Sequence, residues 1–314
     1  MKVLSLTPIN HIPGIREKLF DFGEVRFAPT ADRKHALKAI LEFQPDAIFV
    51  NPNKQTYKID REFLSKGIKI VATASTGTNH IDIDCCKELG ITVVSLTTDS
   101  HTIEKISSTA EHAFALTLSL IRNIPSSFEH VKNGEWNYEP FVGRQLDKLT
   151  VGVVGMGRLG RMYARYCTPF FGALRVCDPY RHLGAWSSYE RTLEQIIQEC
   201  DVVALHVHLN EETKGMINDA LLFKAKKEGI YLINTSRGEV VDESSIIHAL
   251  ADKRLKGYAT DVVADELGSI EKSPIVKACD LGLNIIITHH IGGMTIDAQQ
   301  IAYGRVLDKL KELK

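Results

Sequence analysis

Gly155, Gly157 and Gly160 stand in the spacing Gly-x-Gly-x-x-Gly, straight after the apolar run at 151–154. They lead into Arg161-Met162-Tyr163-Ala164-Arg165-Tyr166, which reads as the opening of a helix. A glycine at a strand end allows a tight turn, a second lets a pyrophosphate approach the backbone, and a third lets helix pack on strand. The helix N-terminus then offers unpaired N–H groups and a positive dipole end to that phosphate. A second apolar run, 174–177, ends in Asp178, where a carboxylate would receive ribose hydroxyls. The order strand, turn, helix, strand, acid predicts a dinucleotide site. Asp178 favours NAD over NADP, because it would repel a 2′-phosphate, although Arg181 follows closely. Later apolar runs end in reactive groups. Residues 230–233 lead into Asn234, Thr235, Ser236 and Arg237; residues 258–260 lead into Asp261, with Asp265 and Glu266 just beyond; residues 285–288 lead into His289 and His290. Beside a hydride carrier, an arginine, a carboxylate and a histidine suit a 2-hydroxy or 2-oxo acid. The guanidinium pairs with the substrate carboxylate, the imidazole exchanges the hydroxyl proton, and the acid fixes the imidazole's tautomer.

These groups need strands to carry them, and the chain supplies an alternation of short apolar runs and helical segments. Strands are expected at 3–6, 47–50, 68–72, 91–94, 151–154, 174–177, 202–207, 230–233, 258–262 and 285–287, and helices at 15–22, 109–122, 192–199, 243–252 and 297–310. Such alternation predicts parallel sheets covered by helices on both faces. The segment 109–122 is apolar on most sides, with Ser107, Ser108 or Thr109 available as a cap and Pro125 past its end. It reads as a connector between two α/β units.

The bulk properties are ordinary for a soluble globular protein. The chain has 314 residues, 44% apolar and 25% charged, with a formal net charge of −1, so nothing favours nucleic acid or an anionic membrane as partner. The apolar run at 3–6 is too short for a signal peptide, and no run is long enough to span a bilayer. Six cysteines (Cys85, Cys86, Cys167, Cys177, Cys200, Cys279) show neither a disulfide framework nor a Cys-x-x-Cys pair, which fits a cytoplasmic protein. His206 and His208 would share a strand face, but no third ligand stands at a suitable spacing, so no metal is expected.

The residues also resemble the D-isomer-specific 2-hydroxyacid dehydrogenases over essentially the whole chain. Three blocks carry the resemblance: the glycine loop with Asp178, the stretch from Ile233 through Arg237 to Glu243, and His290 with Gly292 and Gly293. It implies an α/β fold of two doubly wound parallel-sheet domains closing over a cleft, the second a Rossmann NAD-binding domain. It implies a discontinuous substrate-binding domain of residues 1–99 and 288–314, a dinucleotide-binding domain of residues 100–287, and a homodimer. By resemblance Arg237 binds substrate, Glu266 is the partner carboxylate, and His290 is the acid/base. Ser75, Thr76 and Gly77 resemble the loop whose backbone N–H groups grip the substrate carboxylate, with Thr76 near the nicotinamide. Arg158 and Leu159 would lie at the pyrophosphate, His206, Val207, Thr235 and Ser236 along the nucleotide, and Asp261 at the carboxamide. Thr109, Gly292 and Gly293 complete the implied NAD contacts.

The chain departs from the family where Leu267, His289 and His208 replace prolines; none of these removes a reacting group, but each frees a fixed φ. The implied activity is hydride transfer between NAD(H) and a small D-2-hydroxy or 2-oxo acid. The competing readings are an idle NAD-sensing regulator of the same fold and a methyltransferase; the latter has no use for the arginine, carboxylate and histidine. Substrate choice would fall to Asn51, Pro52, Asn53, Ser100, His101 and the Trp136 region, which are too generic to separate glycerate from lactate or bulkier acids. The chain past its last helix is too short for an appended regulatory domain, so feedback through one is not expected.

Overall fold

The structure is a computed structural model that describes residues 1–51, 57–264, 266 and 270–313. Pro52, Asn53, Asp265 and Leu267, named above, lie outside the described residues. The chain divides into two compact units, Met1–Ile106 with Gly293–Lys314, and Ser107–Gly292.

The first unit holds strands β1 (Val3–Ser5), β2 (Val25–Phe27), β3 (Ala47–Val50), β4 (Ile70–Thr73) and β5 (Thr92–Val94), all parallel, in the order β2-β1-β3-β4-β5. Side chains alternate across the sheet. Leu4, Ile48 and Val71 enter one core; Val3, Phe49 and Ala72 enter another on the opposite face. Helix Ile296–Lys311, the last of the chain, buries Tyr303, Val306, Leu307 and Leu310 in that second core. Its N-terminus is capped by Thr295, whose Oγ1 accepts the Ala298 N–H at 3.1 Å. Strand β2 was not expected from the sequence. It is a three-residue edge strand with an exposed arginine at its centre, too short and too polar to show a period.

The second unit holds β6 (Thr150–Val154), β7 (Ala173–Cys177), β8 (Val202–Leu205), β9 (Ile230–Asn234), β10 (Leu255–Thr260) and β11 (Ile285–Ile287), parallel throughout in the order β11-β10-β9-β8-β6-β7. Val176 of β7 also makes a single parallel bridge to Glu190. Counting that bridge as a vestigial third strand gives the winding order of a Rossmann sheet, which reverses between β6 and β8. Both faces are buried: Val151, Val153, Ala204 and Ile233 on one, Val154, Val203, Leu205 and Leu232 on the other.

Two strands end earlier than their apolar runs. The run at 202–207 leaves the sheet after Leu205, where the Val207 N–H turns to the Ser236 Oγ at 3.1 Å. The run at 258–262 begins sooner, at Leu255, and stops at Thr260, whose Oγ1 accepts the Val262 N–H at 3.2 Å and closes a turn. Helix Ser108–Ile121 belongs to the second unit, burying Ala110, Ala113, Leu116 and Leu120 against its sheet. No side chain caps its start; the Ser107 hydroxyl donates to Glu111 instead, at 2.5 Å. Asn123 then takes a left-handed conformation (φ 52°), and Pro125 sits in the first turn of a new helix, Ile124–Lys132. Proline fits there because first-turn N–H groups have no partner within the helix.

Candidate active site

The glycine loop is shaped by close contacts at its ends. Gly155 has φ +91°, and a Cβ there would lie 2.5 Å from the His206 carbonyl oxygen; at Gly160 a Cβ would lie 1.9 Å from the Gly155 carbonyl oxygen. The middle glycine differs: nothing lies within 4 Å of a Cβ placed on Gly157. The loop is thus pinned to strand and helix at both ends and open between. Gly157 N-caps the ten-residue helix Arg158–Cys167, with no side-chain cap and no acidic residue in the first turn. The positive end of the helix therefore meets no anion of its own side chains, and Arg158 and Leu159 stand at its start. Both oxygens of Asp178, at the end of β7, accept backbone N–H groups, Oδ2 from Met156 at 2.8 Å and Oδ1 from Tyr180 at 3.1 Å. Arg181 Nε stands 3.8 Å from Oδ2. An open glycine, an uncapped helix N-terminus and an acid tied to the same loop fit a dinucleotide.

The ends of β8 and β9 are stitched together. Ser236 Oγ donates to the Leu205 carbonyl at 2.8 Å while it accepts from Val207. The His206 ring packs on Tyr163 with centroids 5.0 Å apart, and neither ring nitrogen has a hydrogen-bond partner. Burial pushes the imidazole down to about 4, so His206 is neutral at working pH. The Thr235 hydroxyl is buried and unpaired as well.

Arg237 follows directly. Its Nη1 donates to the Ser236 carbonyl at 2.6 Å, and its own carbonyl accepts from Asn234 Nδ2 at 2.9 Å. Gly238 is the reason the chain can pass: a Cβ there would sit 2.0 Å from the Val263 carbonyl carbon and 2.1 Å from the Ala264 nitrogen. The backbone after β9 thus lies against the backbone after β10. Glu266 lies beyond Ala264, and Glu243 accepts the Ala264 N–H at 2.9 Å and the Ser273 hydroxyl at 3.1 Å.

Glu266 reaches the His290 imidazole: Nδ1 lies 2.9 Å from Oε2 and 3.1 Å from Oε1. Of the two adjacent histidines, His290 makes this pair and His289 is exposed. Burial works against the imidazolium, but the Glu266 hydrogen bond and charge outweigh it, with Asp261 assisting and the Arg237 charge opposing. The net effect raises the pKa of His290 above the ordinary histidine value.

His290 has φ +57°, a conformation a non-glycine residue adopts only when its surroundings hold it there. Asp261 holds it. Its carbonyl accepts the His290 N–H at 2.9 Å, Oδ1 accepts the Ile291 N–H at 2.9 Å, and Oδ2 accepts the Gly292 N–H at 2.7 Å. Thr288 Oγ1 adds a bond to Oδ1 at 2.6 Å. Behind them stands His112, its Nε2 2.9 Å from Thr288 Oγ1 and 3.3 Å from Asp261 Oδ1. Burial opposes the charge on Asp261, which is 2% exposed, yet its four donors, His112 and Thr288 foremost, hold its pKa below the usual carboxylate range. Sequence reasoning overlooked His112, Thr288 and Glu243. The available signal was a lone histidine in a mostly apolar helix.

Of the remaining residues named from the sequence, Thr109 stands at the second position of its helix, with its methyl 3.2 Å from where a Gly292 Cβ would lie. Gly293 opens the last segment of the first unit. So do Ser75, Thr76 and Gly77 belong to that unit, in the loop after β4. There the Ser75 N–H donates to Thr73 Oγ1 at 3.3 Å, the Gly77 N–H to Ser75 Oγ at 3.1 Å, and the Thr76 carbonyl accepts from Thr97 at 3.0 Å. Among the described residues, no group of three or more His, Cys, Asp or Glu could hold a metal, and no helix is long and apolar enough to cross a membrane.

With this geometry, the class of protein follows from comparison. The family model for the NAD binding domain of the D-isomer specific 2-hydroxyacid dehydrogenases matches residues 114–292, and the chain belongs to that family. It is 34% identical over 287 residues to the D-3-phosphoglycerate dehydrogenase of Bacillus subtilis, an alignment covering 89% of this chain and 50% of that protein. The chain thus spans about half the length of the phosphoglycerate dehydrogenases it matches. Among solved structures, the apo-structure of D-lactate dehydrogenase from Escherichia coli superposes with a TM-score of 0.83 at 25% identity, covering 100% of this chain and 96% of that one. The D-lactate dehydrogenase of Aquifex aeolicus complexed with NAD and lactic acid gives 0.76 at 28% identity, covering 100% and 95%.

Proposed function

We propose that this chain is an NAD-dependent oxidoreductase that interconverts a small 2-oxo acid and its D-2-hydroxy acid. The observation that carries the reading is the Glu266–His290 pair at 2.9 Å, anchored in the same unit as Arg237 and the glycine loop. Gly157 and the N–H groups of the helix start would take the pyrophosphate, and Asp178 the ribose hydroxyls. NAD(H), when bound, supplies or accepts the hydride. The Arg237 guanidinium binds the substrate carboxylate and polarises the keto oxygen. His290, protonated and held through Nδ1 by Glu266, gives its Nε2 proton to the oxygen as the hydroxyl forms; in oxidation the neutral ring takes it back. Ser75, Thr76 and Gly77 are proposed as substrate-binding residues, to be tested by substituting Ser75, whose hydroxyl organises that loop.

The chain is further proposed to act as a cytoplasmic homodimer. All six cysteines are thiols, five of them buried, which suits a reducing compartment. Ile124, Phe128 and Val131 repeat along one face of a helix and are 51%, 61% and 48% exposed, a stripe suited to a partner surface. The test of function is a panel of 2-oxo acids assayed with NADH and with NADPH. The reading expects turnover of at least one acid with NADH and a preference against NADPH set by Asp178. No turnover by a folded, NADH-binding protein would refute it.

A further inference from the structure

Arg237, Glu266 and His290 account for binding and proton transfer, but not for how His290 keeps a left-handed backbone. The hydrogen bonds around it form a directed chain. Thr288 has one hydroxyl proton, and its shortest contact, at 2.6 Å, is the Asp261 carboxylate, which can only accept. The Thr288 oxygen must then accept from His112, 2.9 Å away, so His112 carries its proton on Nε2. Asp261 in turn takes the N–H groups of His290, Ile291 and Gly292. Three elements converge: the helix Ser108–Ile121, the end of β10, and the turn after β11. Gly292 leaves no slack, since a Cβ there would fall 2.9 Å from Asp261 Oδ2.

We propose that His112 is a positioning residue: through Thr288 and Asp261 it fixes the turn that presents His290 to Glu266. This rests on the functional reading above for its consequence, but its geometry stands without it. Losing the Nε2–H donor removes one of the partners that orient the Asp261 carboxylate, and the Ile291 and Gly292 N–H groups, the two that bond it directly after His290, then have a less well-directed acceptor. The turn at His290 loosens and the imidazole moves from Glu266. The charged groups acting on that ring are Glu266 from the segment after β10, Asp261 at the end of β10, and Arg237 after β9. Loss of the Glu266 contact therefore returns His290 toward ordinary histidine behaviour.

The test compares His112→Gln, which retains a donor near the Nε2 position, with His112→Phe and His112→Leu, which lack one but differ in shape. In each full-length protein the His290 ring is titrated by NMR, NADH affinity is measured, and kcat is read on the best 2-oxo acid of the panel. In His112→Phe the His290 pKa should fall toward the ordinary value and kcat should drop about tenfold, the lower range for loss of a supporting partner. His112→Gln, which keeps a donor, should keep the wild-type titration and NADH affinity. Should His112→Phe not fold, His112→Leu serves the same comparison. A donorless variant with an unmoved His290 titration overturns the proposal. So does equal loss in His112→Gln, which would make the role one of packing. If the wild type reduces no 2-oxo acid, the functional reading fails, while the ring titration, which needs no substrate, still decides the role of His112.

Discussion

A half-buried imidazole ordinarily gives up its proton, because low polarity disfavours the cation; Glu266 reverses that outcome at His290. The sign of the consequence follows. On the proposed mechanism the imidazolium is the reacting form in reduction, so the rate should fall as pH rises through the pKa of His290, and a raised pKa should extend the working range upward. Glu266→Gln removes the charge that outweighs burial, so the basic limb of the reduction profile should move to lower pH. Oxidation, which needs the neutral ring, should extend to lower pH in the same variant. Profiles of kcat/KM against pH in both directions check this; a limb that does not move would remove Glu266 from its role. At this scale, the strand-end positions of Arg237 and His290 were legible because each follows an apolar run that had to be a strand, while the choice of Glu266 over Asp265 and of His290 over His289 came from the family pattern. His112 was not legible. Its partners lie 149 and 176 positions further on, at Asp261 and Thr288, and spacing within a helix says nothing of them.

Elements place these groups through close backbone contact as well as through side-chain hydrogen bonds. Gly238 is the clearest case, since a methyl group would have to occupy the space of the Val263–Ala264 peptide. Gly238→Ala should push the chain after β9 away from the chain after β10, costing about 1–3 kcal/mol in stability, the usual penalty of overpacking. Activity should fall by more than that loss of folded protein explains, because Arg237 moves with the strand end. Denaturant unfolding and steady-state kinetics on the same preparation separate the two, and a variant of unchanged activity would show that the close approach does not set the arginine. The same logic explains what the sequence hid. β2 and the vestigial strand at Glu190 are completed by neighbours, not by their own periodicity, and β8 ends at Leu205 because Ser236 captures the Val207 N–H. Long buried strands announce themselves as apolar runs; short edges and strand ends are decided by tertiary hydrogen bonds.

For the molecule as a whole, the exposed stripe of Ile124, Phe128 and Val131 predicts association. Light scattering should give twice the mass of one chain, and Phe128→Glu should yield the single-chain mass, since an uncompensated charge does not bury in an apolar contact. A wild type of single-chain mass would remove the dimer proposal and leave the site reading intact. The central claim, that Arg237 binds a 2-oxo acid next to an NAD site built by the glycine loop, is tested most directly by one comparison. Wild type and Arg237→Ala are assayed for reduction of the same 2-oxo acid at saturating NADH, with NADH binding measured separately. The account predicts a fall in kcat/KM of about 100-fold, the worth of a charged hydrogen-bonded contact, with NADH binding unchanged. Wild-type turnover in the variant would contradict it.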